Sequence, residues 1–148
     1  MTHARKQIRD AAVVAIGGLT TTGDNVFDSR YHPLDTTQLP AWVVSYSEDG
    51  TEEVEQVSGG LQQRQLELVF VGVASEISGE SLTDSLDLMA EELEVALAGG
   101  ISGTKATYLV STEFEFETDE ELDGAIGSVL VSYVCIYDTT AGVPGTLE

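Results

Sequence analysis

The last third of the chain alternates in a way that only a sheet accommodates. From Glu113 to Glu117 acidic and aromatic residues trade places at a period of two, within a run from about Ala106 to Glu117 that one short acidic stretch separates from a second, largely apolar run, Ile126 to Asp138. Two long strands joined by a turn follow. Phe114 and Phe116 face one side of the first strand, while Glu113, Glu115 and Glu117 face the other. Like charges on one strand face cost little only where water screens them, so that face is expected to be wet.

Upstream elements are read from the same periodicities. Ala4, Ile8, Ala11, Ala12, Ala15 and Leu19 recur at steps of three and four, predicting a helix from residue 3 to about 17, stopped by Gly17-Gly18. Pro40 marks the entrance of a strand reaching Ser47, and "EDG" at residues 48–50 is a turn signal. Thr51 to Val57 is therefore expected to return as its hairpin partner. "RQLELVFVGVAS" is a further strand. Leu82, Leu86, Met89, Leu93 and Leu97 define a second helix over 81–98, with Ser81 as N-cap and Gly99-Gly100 closing it. Residues 139–148 read as a flexible tail. The order helix, three strands, helix, two strands predicts one α+β domain: a mainly antiparallel or mixed β-sheet sandwich with two helices packed on one face.

Charge then narrows the function classes. Twenty-six acids stand against six bases, a formal net charge of −20 in 148 residues. Phosphate recognition runs on lysine and arginine, so sequence-specific nucleic-acid binding is disfavoured, as is an anionic membrane. No apolar run approaches the length of a membrane helix, and "MTHARKQIRD" lacks the apolar centre of a signal peptide.

The chemistry-bearing residues form no constellation. Asp119, Glu121, Asp123 and Gly124 resemble the start of a calcium loop, but position twelve, which requires a bidentate glutamate, is Leu130. His3 and His32 have no ligand-spaced neighbour, and Cys135 sits in an alternating strand as a small hydrophobe. Gly99, Gly100 and Gly103 follow a helix and cap it, where a phosphate loop would follow a strand. No catalytic residue, metal site or cofactor is assigned.

One irregularity lies on the second helix. Asp84, Asp87, Glu91 and Glu94 form an outward acidic stripe, yet Leu88 and Val95 fall in the same arc. Single exposed apolar side chains are ordinary on protein surfaces; the alternative is cover by a neighbouring subunit. Trp42 and Val44, in a strand with two apolar faces, join Leu88 and Val95 as candidate interface positions.

Three stretches, "RKQIRDAAV", "GDNVFDSRYHPLDTTQLPAWVVSYSED" and "RQLELVFVGVAS", together with the ending "TEFEFETDEELDGAIGSVLVSYVCIYDT", resemble the tail terminator proteins of long-tailed phages, the minor tail protein U family of lambda-like viruses. The resemblance implies a non-enzymatic virion protein, assembled in the host cytoplasm. Its partners would be five further copies in a hexameric ring, the tail tube protein and the head–tail connector protein. Another head–tail joining or tail-completion subunit, or an acidic calcium-binding module, is the alternative. Six copies at −20 each carry −120. An acid-lined lumen would let DNA slide without adhering. Glu48, Asp49, Glu52, Glu53, Glu55, Glu113, Glu115 and Glu117 are the candidates for that lumen or for a basic partner surface.

Overall fold

The computed structural model describes residues 2–28, 39–47, 51–75, 81–119 and 124–147. Its elements are α1 (Ala4–Ile16), β1 (Val26–Asp28), β2 (Ala41–Tyr46), β3 (Glu53–Val57), β4 (Leu61–Ser75), α2 (Leu82–Leu97), β5 (Ala106–Asp119), β6 (Gly124–Thr140) and β7 (Val143–Leu147). The seven strands form one mixed sheet in the order β1-β2-β4-β6-β5, with β3 also on β4 and β7 also on β6. Among the described strands, only β1 and β2 run parallel. The α+β class expected from the sequence holds.

The long β4 organises the sheet. Along one edge it pairs with β6 from Leu61 to Ser75. Its other edge is shared, with β3 against Leu61–Gln65 and β2 against Leu68–Val73. The expectation that Thr51–Val57 folds back on the strand before it is corrected: β3 pairs with the strand after it. Gly59 and Gly60 supply the reason, since both adopt positive φ (85° and 80°) and close the tight β3–β4 turn.

Alternate residues of three strands build the core. Trp42 and Val44 of β2, Leu66, Leu68 and Phe70 of β4, and Val129, Val131, Tyr133, Cys135 and Tyr137 of β6 share one buried cluster with both helices. From α1 come Ala4, Ile8, Ala12 and Ile16, and from α2 Leu82, Leu86, Met89, Ala90, Leu93 and Leu97. Each large aliphatic side chain buried there contributes roughly 1.5–3 kcal/mol. Phe70 and Tyr133 meet edge to face, their ring centroids 5.6 Å apart.

Two glycines set how closely α2 approaches. A β-carbon at residue 72 would stand 2.8 Å from Trp42 Cζ3 and 3.0 Å from Met89 Cε, and one at residue 127 would stand 2.8 Å from Leu86 Cδ1. Both sites are filled by the neighbour's side chain, so only glycine fits without displacement.

The C-terminal residues are not the loose tail expected. β7 pairs with the end of β6, and Gly145 O accepts a 2.7 Å hydrogen bond from Gln7 Nε2 of α1. The other face of the sheet carries no helix among the described residues. Val43, Val69, Val71, Val73, Leu130 and Ile136 line it and are half-buried.

Candidate assembly surfaces

The four candidate interface positions separate into two pairs. Trp42 and Val44 have no solvent exposure, because β2 lies inside the sheet and its even-numbered residues face the helix layer. They are core residues, which corrects the surface role expected of them. Leu88 and Val95 are 48% and 71% exposed on the outward face of α2. With Leu19 and Ala96 they make the apolar lining of a groove of about 480 Å³ between α2 and the segment Gly18–Thr20, walled by Glu91 and Glu92. Glu92 is fixed by Thr21, whose backbone N–H donates at 2.9 Å and whose hydroxyl donates to the other carboxylate oxygen.

Sequence reasoning misses the second surface. β5 is the terminal strand of the sheet, paired on one edge with β6 alone. Tyr108, Leu109, Val110, Phe114 and Phe116 are exposed along it, the last two 42% and 55%. Register places Phe114 beside Val129 and Phe116 beside Gly127, on the helix side of the sheet but beyond the cover that α2 gives β4 and β6. Alternation identifies this face from sequence; that no described helix reaches it is a tertiary fact. A long apolar edge strand invites pairing by another chain.

The candidate acids also divide. Glu53, Glu55, Glu113 and Glu115 are exposed, the last two on the helix-free face beside Leu130 and Ser128. Glu52 is not a surface acid. Its carboxylate, 9% exposed, accepts from Arg64 Nη1 at 2.8 Å and stands 3.6 Å from Arg5 Nη1. Two cations converge on it because the β3–β4 hairpin and α1 meet there, which removes it from any lumen or partner face. Glu48 and Asp49, with most of the acidic β5–β6 turn including Glu121 and Asp123, lie outside the described residues, as does the side chain of Glu117.

All five described cations are engaged by the chain's own carboxylates. Arg5 and Arg64 share Glu52, Lys6 bonds Asp10, Arg9 bonds Asp28, and Lys105 bonds Asp138. Arg9 also stacks 4.8 Å above the Tyr46 ring. The surplus of acid is thus left on the outside, on β3, α2 and β5.

Among the described residues, Cys135, Tyr133 and Tyr137 lie in the core and His3 caps α1. Burial pushes the Cys135 thiol up to about 12, so it stays protonated at neutral pH. Tyr133 is pushed up to about 12, chiefly by burial with a contribution from Glu94. Tyr137 is also raised, first by burial and then by neighbouring Glu52. His3 is lowered, mainly by desolvation, and its Nδ1 accepts the Arg5 N–H at 3.2 Å as the N-cap of α1. Among the described residues, no three His, Cys, Asp or Glu side chains converge as a metal site.

No protein-family model matches the chain, and no curated protein is significantly similar to it.

Proposed function

We propose that this chain is a structural subunit of a phage tail, one that assembles with copies of itself into a ring on the tail tube. The ring stops tube polymerisation and offers its other face to the head connector. The observation that carries this reading is β5, a terminal strand of 14 residues on which five large apolar side chains are exposed, in a chain of net charge −20. An isolated protein at −20 has no need of such a strip, and protein contact is the ordinary reason to keep one. The sandwich architecture and the non-enzymatic role implied by the tail-terminator resemblance belong to the same proposal. So does a lumen in which Glu113 and Glu115 repel the phosphates of passing DNA.

Withholding the protein during tail assembly tests the role directly. Overlong tube polymers in electron micrographs are the expected outcome. Tails of normal length that lack heads would transfer the chain to the joining role instead.

A further inference from the structure

We infer that the groove between α2 and the α1–β1 connection receives a cationic amphipathic helix from a second protein. An apolar side chain of that helix sits between Leu88 and Val95, and its lysines or arginines meet the surrounding acids.

The pattern along α2 specifies this partner. Asp84, Leu88, Glu91 and Val95 follow at steps of four, three and four, so acid and apolar residues alternate down one stripe. An apolar ligand alone would leave the carboxylates desolvated, and a purely basic one would leave Leu88 and Val95 bare. A helix carrying both kinds of residue at the same spacing satisfies the stripe. Two features strengthen the attraction for cations. α2 contains no lysine or arginine, and Glu94 occupies its last turn, where the helix dipole already points negative and a basic residue is the stabilising choice. Glu91 and Glu94 form no ion pair among the described residues, and no described cation lines the groove. Such a helix end is suboptimal for the isolated chain and suited to a basic neighbour.

A second copy of the chain fits poorly as occupant. Its described cations are all held by its own carboxylates, and it brings a further −20 to the contact. The inference rests on α2 and the Gly18–Thr20 segment beside it, so it stands or falls separately from the tail assignment.

The test titrates the full chain with a synthetic helical peptide bearing leucines on one face and lysines on the other. Matched leucine–glutamate and all-lysine peptides serve as controls. Amide shifts are expected to concentrate at Leu19, Leu88, Glu91 and Val95 for the leucine–lysine peptide. Val95→Ser should lower its affinity about tenfold, corresponding to roughly 1.4 kcal/mol. The double variant Asp84→Asn/Glu91→Gln should weaken it several-fold and flatten its salt dependence. Asp84, Glu91 and Val95 are exposed, so the variants are expected to fold. Unchanged affinity in Val95→Ser, or shifts spread over the acidic surface as with the all-lysine peptide, would overturn the inference. Self-association of the protein alone that Val95→Ser abolishes would also overturn it, by assigning the groove to a second copy.

Discussion

Single residues carry more of this fold than their chemistry suggests. Glu52 reads as one more acid in "TEEVEQ", yet it pairs with Arg64 at a nearly dry junction and with the half-exposed Arg5 at its edge. Removing one partner of a buried pair leaves the other uncompensated. Glu52→Ala is therefore expected to destabilise the protein by about 3 kcal/mol in urea unfolding. Glu52→Gln should lose less, because its amide oxygen still accepts from Arg64. Alanine at the exposed Glu53 next to it should change little. His3 gives a second residue-scale outcome. Its folded pKa lies below the ordinary 6.5, so the unfolded chain binds the proton more readily. The contribution of His3 is complete above about 6.5 and is lost as pH falls from there toward the folded value. Protonation also turns Nδ1 from acceptor to donor and ends the cap. An NMR titration of the His3 imidazole should show a midpoint below 6.5, and His3→Asn should remove this part of the acid sensitivity.

At the scale of elements, α2 shows two faces with opposite energetic meaning. Leu86 is fully buried against the strand position of Gly127, whereas Leu88, two residues on, faces the groove. Leu86→Ala should cost about 2–5 kcal/mol, the loss of buried methyl groups plus the cavity left behind. Leu88→Ala should fall within about 0.5 kcal/mol in the same urea experiment. Helical periodicity makes both assignments readable in advance, because the spacing of Leu82, Leu86, Met89, Leu93 and Leu97 fixes the inward arc. Strand pairing is less readable. Period two locates β3 but says nothing of its partner, and the two positive-φ glycines before β4 decide it. β7 escapes a sequence reading because "VPGTL" is short and carries proline and glycine; it is held as an edge segment by β6 and by Gln7.

For the whole molecule, self-repulsion outweighs every other long-range electrostatic effect. With the five described bases already paired with four carboxylates, the remaining acids act on one another across the surface. Screening relieves this, since the Debye length falls from roughly 30 Å at 0.01 M salt to roughly 3 Å at 1 M. The melting temperature should rise with sodium chloride over that range, and an unchanged or falling value would contradict the charge distribution described above. Association through the apolar strip of β5 should respond in the same direction, because charge opposes it and burial drives it. Binding of the cationic helix should respond in the opposite direction, so the sign of the salt effect separates the two surfaces.

Local pattern is enough for the α+β class, the two helices, most of the strands and the wet face of Glu113 and Glu115, because period and charge act over a few residues. It is not enough for Trp42, Val44 or Glu52. Whether an apolar or charged side chain meets solvent depends on which strand lies beside it and which helix lies above it, and those neighbours come from distant parts of the chain. The bare strip of Leu109, Phe114 and Phe116 has the same origin: α2 spans β4 and β6 and ends its cover before the outermost strand.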